Sequence, residues 1–395
     1  MKRFVYADNA ATTAVKPEVV AEMMPYFTEK WGNPSSLHQK GREAALALME
    51  ARERIAACLG ADAKEIYFTS CGSESDNWAI KGAAALGKTR GRTHIITSKI
   101  EHHAVLHTCE ALEKEGYTVT YAGVDGEGFV NVDEIRAAIS DKTALVAIMT
   151  ANNEIGTIEP IAQIAKIAHE HGALMFTDAV QAIGNIPVNV RDLDVDMLSL
   201  SGHKIHTPKG VGALYIKKGV RISNLIDGGG QERGRRAGTE NLPYIMGLAR
   251  AMELAAERLP KMAEVAKLRN RLRDELLKIP HTALNGARDD AKRLPGNLNI
   301  GFEYIEGESI ELLLDAEGIC VSTGSACASA SLDPSHVLLA TGVPHERAHG
   351  SVRFSISDDT TAEDIDYILE KLPPVIERLR QMSPLYTEAK KANLL

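Results

Sequence analysis

Apolar residues along this chain fall into two alternating rhythms. Short, nearly continuous apolar runs recur through the first half and a little beyond: EIYFTS (65–70), THIITS (93–98), YTVTYA (117–122), TALVAIMT (143–150), ALMFTD (173–178), DMLSLS (196–201) and GALYIKK (212–218). Runs of this length and type predict strands covered on both faces. Between them lie segments with helical spacing. One is GREAALALMEARERIAACLG, which closes on Gly60, a good helix stop. Strand and helix alternating in this way predict an α/β fold with a mainly parallel sheet flanked by helices.

The pattern changes near residue 260. MAEVAKLRNRLRDELLKI sets Val265, Leu268, Leu272, Leu276 and Ile279 on one helical face, and Pro280 ends it. GNLNIGF, CVSTGSA and SVRFSIS then read as strands. A final helix opens at Thr361 with Asp364 three residues on, the spacing of a capping box. A second, smaller α+β domain is expected here. The chain shows no repeat and no low-complexity tract.

The 395 residues suffice for two domains and a large core. With 45 Lys and Arg against 53 Asp and Glu, the net charge of -8 gives no basic face for nucleic acid. No apolar run reaches the roughly 20 residues that cross a bilayer. The start MKRFVYADNAATT meets Asp8 before a signal-peptide core forms, so a cytoplasmic protein is expected. Five widely spaced cysteines, Cys58, Cys71, Cys109, Cys320 and Cys327, argue against a disulfide framework, and no CxxC pair suggests a zinc site. The HEHG at 169–172 reads as the decoration of a helix end rather than as metal ligands. No metal is expected.

Chemistry gathers where the strands end. After successive strands come Cys71-Gly72-Ser73-Glu74, Glu101-His102-His103, Asn152-Asn153-Glu154, Asp178 with Gln181, and Ser201-Gly202-His203-Lys204. In an open parallel sheet these ends share one rim, where ligands bind. A lysine after a strand is ordinarily a solvated surface residue, and an aspartate there a helix cap. The order of the whole set weighs against those readings. Lys204, partly desolvated, can act as a nucleophile toward an aldehyde. Pyridoxal phosphate needs such a lysine. It also needs a carboxylate against its ring nitrogen, which suits Asp178. Gly72-Ser73 before a helix, with the Ser201 hydroxyl, can supply donors to a phosphate.

These segments resemble those of a known family. YADNAATT, FTSCGSESDN, EHHAVL, ANNEIGT, DAVQAIG, SGHKIHTPKGVGALY, GGGQERGRRAGTEN, GSACASASLDPSHVL and SVRFS run almost end to end. Together they are similar to the group I (NifS/IscS-type) cysteine desulfurases, pyridoxal-phosphate enzymes of fold type I in the class V aminotransferase superfamily. The resemblance implies a large cofactor-binding domain over 16–260. Residues 1–15 and 261–395 would form the small domain. Lys204 would hold the cofactor covalently, Asp178 would pair with its ring nitrogen, and Gln181 and Asn153 would hold its oxygen side. Asn153 would also approach the substrate. His102 would stack on the ring and move protons. Gly72, Ser73, Ser201, Gly202 and His203 would bind the phosphate. Thr239 would reach the phosphate of the other subunit in a homodimer, and Arg353 would clamp the carboxylate of L-cysteine.

The same resemblance gives a purpose to VSTGSACASAS (321–331), a stretch too thin to pack tightly. Cys327 would take sulfur from L-cysteine as a persulfide, release alanine, and carry the sulfur to an acceptor protein such as an iron–sulfur scaffold. A Gly/Ser/Ala loop can swing between the two tasks. The attack requires the thiolate, so a base or cation near Cys327 is expected. Selenocysteine lyase, aminotransferase and a non-catalytic scaffold are the competing readings. The thiol segment weighs against the second, and the presence of Lys204, Asp178 and Cys327 against the third. Three positions depart from the family pattern: Cys71 stands for Gly, Ser73 for Thr, and Thr207 after His206 for Gly.

Overall fold

The computed structural model describes residues 3–323 and 334–392. Seven strands form the main sheet, in the spatial order Ile66–Thr69, Gly212–Ile216, Met197–Ser201, Leu174–Asp178, Thr143–Ala147, His94–Ser98 and Thr118–Ala122. Only Gly212–Ile216 runs against its two neighbours. The remaining pairs are parallel. All seven strands coincide with the apolar runs, and the sheet is mainly parallel, as the alternation predicts.

Helices cover both faces of this sheet, so its strands must be apolar on both sides. Ile55 and Leu59 of helix Gln39–Leu59 pack with Leu248 and Met252 of helix Leu242–Arg258 in one core. Trp78 and Ile80 of helix Gly72–Lys88 join Val105 and Leu112 in another. Gly60 caps helix Gln39–Leu59 with φ 68°, and a Cβ there would meet the Asn189 amide 2.5 Å away. Strand register aligns the rim. Thr69 pairs with Gly212 and Gly212 with Ser201, which brings the ends of three strands level.

A separate antiparallel sheet orders Thr282–Asn285, Asn297–Phe302, Ser351–Ser355 and Ser322–Thr323. Its core holds Val265, Leu272 and Leu276 of helix Met262–Leu276, with Leu268 and Ile279 partly buried against it. The helix stops at Leu276, and a turn fills the residues before Pro280. Thr361 and Asp364 close the expected capping box on helix Ala362–Met382. The N-terminal segment joins this second body: Val5 and Ala7 sit in its core, and Val5–Tyr6 pairs with Ile319–Cys320. Among the described residues Cys58, Cys71, Cys109 and Cys320 are free thiols.

The arginine-rich loop is anchored by a buried ion pair. Arg52 donates through both terminal nitrogens to Glu232, each at 2.7 Å, and Glu232 also accepts from the Phe68 amide at 3.0 Å. Removing one partner strands the other charge away from water. Glu232→Ala is therefore expected to cost about 3–5 kcal/mol. The paired change Arg52→Met with Glu232→Leu should recover much of that loss. Thermal unfolding of parent, single and double variants checks this.

Candidate active site

The rim predicted from the strand ends is real. Gly72, Ser73, His102, Asn153, Asp178, Gln181, Ser201, His203, Lys204 and Arg353 line one cavity of about 230 Å³. Lys204 lies in the tight turn Gly202–Lys204 that follows strand Met197–Ser201. Its Nζ donates to the carbonyls of Ala10 at 2.6 Å and Ala11 at 2.7 Å. The Gln181 amide donates to the same Ala10 carbonyl at 3.0 Å.

Asp178 closes its strand fully buried, with one oxygen accepting from the Val180 amide at 2.8 Å. Asp76, also fully buried, lines the same cavity and accepts from the Ser199 hydroxyl at 2.6 Å. Burial raises both carboxyls, that of Asp76 well above its usual range, helped by the charge of Asp178. Asp178 is eased by the Val180 amide and by Lys204. Stabilisation of its charged form by the Val180 amide and Lys204 suits Asp178 to a protonated ring nitrogen.

A helix start forms part of the same wall. Helix Gly72–Lys88 begins with no side-chain cap, so its first amides are open to a ligand. A Cβ on Gly72 would come within 3.0 Å of Val180 and 3.3 Å of Ser201. Glycine is what lets the helix start sit flush against the cavity. Ser73, Ser201 and His203 add side-chain groups to the same wall.

Two of the imidazoles lining the cavity, His102 and His203, are pushed toward their neutral forms. His102 caps helix His103–Lys114, its Nδ1 accepting from the Ala104 amide at 3.1 Å, so the ring proton sits on Nε2. Burial, with the Lys204 charge second, pushes His102 down to about 4. The same causes in the same order bring His203 down to about 4, while its Nδ1 meets the Thr12 hydroxyl at 3.2 Å.

Arg353 comes from the second sheet. It donates to Asp8 at 2.9 Å and to the Asn153 carbonyl at 3.2 Å, yet its buried Nε has no hydrogen-bond partner among the described residues. That leaves donor capacity for a carboxylate.

Three expected residues stand differently. Gly202 does not line the cavity: its amide donates to the Val211 carbonyl at 3.0 Å, and a Cβ would lie 2.1 Å from the Thr207 hydroxyl. It shapes the turn under Lys204. Thr239 is exposed and away from this cavity. Cys327 lies outside the described residues. Sequence reasoning missed Asp76, whose place four residues after Gly72 puts it on the same helical face. It also missed His336, whose Nε2 meets the Glu101 carbonyl at 3.0 Å on the cavity wall.

Known proteins share this architecture. A model of the family described as "Aminotransferase class-V" matches residues 5–368. The chain belongs to that family. It is 57% identical over 390 residues to a cysteine desulfurase IscS of Clostridium botulinum, covering 98% of each chain. A solved NifS-like protein superposes with a TM-score of 0.89 at 43% identity, covering 96% of this chain and 100% of the other. A structure of SspA in complex with cysteine matches with a TM-score of 0.78 at 37% identity, over 90% and 99% of the two chains.

In this class-V chain, a histidine lowered to about 4 is folded best in its neutral form. Between about 4 and 6.5 the unfolded chain binds protons that the native chain refuses. The contribution of His102 to stability is therefore present above about pH 6.5 and lost as the pH falls toward 4. His102→Gln removes this dependence. Its melting temperature relative to the parent is expected to rise steadily between about pH 7 and pH 5. An unchanged difference would place the His102 protonation near the ordinary value.

Proposed function

We propose that this chain is a pyridoxal-phosphate-dependent cysteine desulfurase, converting L-cysteine to L-alanine and passing the sulfur through Cys327 to an acceptor protein. The observation that carries this reading is one cavity holding Lys204, the buried Asp178 carboxyl, an uncapped helix start and an Arg353 with a donor to spare. The relatives named cysteine desulfurase and the cysteine complex of SspA support the choice of substrate.

Pyridoxal phosphate, when bound, supplies an aldehyde for primary amines and a protonated ring that draws electrons from Cα. Lys204 would hold the aldehyde carbon, Asp178 the ring nitrogen, and Gln181 and Asn153 the oxygen side. The amides at Gly72 and Ser73, with Ser201 and His203, would hold the phosphate. Neutral His102 would lie against the ring, its Nε2 proton available for transfer. Arg353 would take the substrate carboxylate and so orient the α-hydrogen, which the Lys204 amine would then remove. The Cys327 thiolate would take the substrate sulfur, forming an S–S bond as the C–S bond breaks. The sum is L-cysteine and a Cys327 thiol giving L-alanine and a Cys327 persulfide.

The flanks of the Cys327 segment favour this. Ser322 pairs with Arg353, and the Ser335 hydroxyl bonds to Glu154, which lines the cavity. A homodimer is supported by Val20, Met24, Phe27, Trp31 and Leu37, all exposed apolar residues of one N-terminal segment, and by the exposure of Thr239. No helix among the described residues is long and apolar enough to cross a membrane, in keeping with work in the cytoplasm. An iron–sulfur scaffold is the class of acceptor we favour, with no part for nucleic acid.

Sulfide release from L-cysteine with a reductant present tests the reading. The parent should release sulfide and alanine, whereas Cys327→Ala should release almost none while still binding cofactor. Equal release by both would remove Cys327 from the mechanism. Arg353→Lys loses the planar fork and should raise KM for L-cysteine by about tenfold or more, with a smaller change in kcat.

A further inference from the structure

A second, smaller cavity of about 40 Å³ shares Ala10, Gln181 and Lys204 with the first and is also lined by His206 and Asp358. His206 has φ 69°, a left-handed conformation that a side chain rarely takes. Three hydrogen bonds hold it there. Its amide donates to the Thr13 hydroxyl at 2.8 Å, its carbonyl accepts from the Lys16 amide at 3.2 Å, and its Nδ1 meets the Ala14 carbonyl at 2.9 Å. A carbonyl only accepts, so Nδ1 carries the proton and Nε2 presents a lone pair. His206 is 5% exposed, and Nε2 is buried with no hydrogen-bond partner among the described residues. The Oδ1 atom of Asp358 is likewise buried without one.

One ring nitrogen of His206 and one oxygen each of Asp358 and Asp359 lie within 4.8 Å of one another. A backbone carbonyl on one imidazole nitrogen, with the other nitrogen left bare, is how proteins orient a metal-binding histidine. Burial, with the Arg258 charge second, lowers the pKa of His206 and keeps the ring neutral, the form that ligates. Asp359 is exposed and opens the group to solvent. Lys16 at 3.5 Å and Arg258 at 3.8 Å from Asp358 already offset carboxylate charge, which lowers the affinity for a cation without occupying the ring nitrogen.

We propose that His206, Asp358 and Asp359 form a binding site for a first-row divalent cation of the Mn²⁺ or Fe²⁺ type. One imidazole with two carboxylates suits these ions. The cation would tie the turn that carries Lys204 to the end of the strand that carries Arg353. It would thereby set the two bodies of the enzyme against each other across the active site.

The test uses the full-length, cofactor-loaded enzyme after treatment with a chelator. Mn²⁺ is the probe, because hard ligands prefer it and cysteine thiols compete for it poorly. Its loss from solution is followed by electron paramagnetic resonance. We expect saturable uptake of one equivalent per chain and a higher melting temperature with Mn²⁺. Asp358→Asn and Asp359→Asn should each weaken uptake about 10-fold or more and abolish the melting shift. Asp359 is exposed, so Asp359→Asn should match the parent's melting temperature without Mn²⁺, and it decides the matter if Asp358→Asn does not fold. No saturable uptake by the parent would overturn the proposal. So would uptake that Asp359→Asn leaves unchanged.

Discussion

The ammonium of Lys204 rests on two backbone carbonyls, those of Ala10 and Ala11. Much of the active site depends on that contact. Lys204 belongs to the main sheet's rim, whereas the segment before Ala10 is stitched to the second body, through Val5–Tyr6 paired with Ile319–Cys320 and through Asp8 beside Ser355 of the second sheet. A cation half removed from water needs acceptors, and charged hydrogen bonds are the strong ones. The N-terminal strap supplies them. It also supplies Asp8 to Arg353 and the Thr12 hydroxyl to His203. One short segment thus orients the Lys204 amine, the Arg353 guanidinium and the His203 imidazole.

The second governing fact is burial of ionisable groups. Burial raises Glu101 to about 8, Glu154 to about 7 and Glu159 to about 8, and it lowers His102 and His203 to about 4. Each carboxyl has an assigned donor: Ser98 and the Met149 amide for Glu101, Ser335 for Glu154, and the Val130 amide for Glu159. Of these acids, Glu154 lines the cavity together with His102 and His203. Lys204, Asp178 and Arg353 share that lining, with Asp8 paired to Arg353.

The strand ends were readable because a parallel sheet leaves little choice. Apolar runs of five or six residues stop where the chain leaves the core, and the polar residues after them gather at one rim. The stops after 69, 98, 147, 178 and 201 lie there. Asp76 escaped notice because it sits inside a helix, where a polar residue usually faces water. His336 escaped because it reaches the cavity from a distant part of the chain. The family resemblance implies that Gly202 is a phosphate ligand, but its amide is bonded to Val211 and its missing side chain makes room for Thr207. Spacing alone does not tell a glycine that binds from a glycine that lets the chain turn.

By itself the sequence determined the α/β order, the mainly parallel sheet, the helix limits at Gly60 and Thr361, and the family of the chain. These are local or periodic properties, written in neighbouring residues and in short segments that fold in one way. The tertiary structure alone decided which ionisable groups are buried, which carbonyls hold Lys204, that Asp8 shares Arg353 with the Asn153 carbonyl, and that a ring nitrogen of His206 lies beside Asp358 and Asp359. Those facts depend on residues as much as 345 positions apart meeting at 2.9 Å, as Asp8 and Arg353 do. Contacts across such separations are set by how two folded bodies pack, and no periodicity along the chain records that.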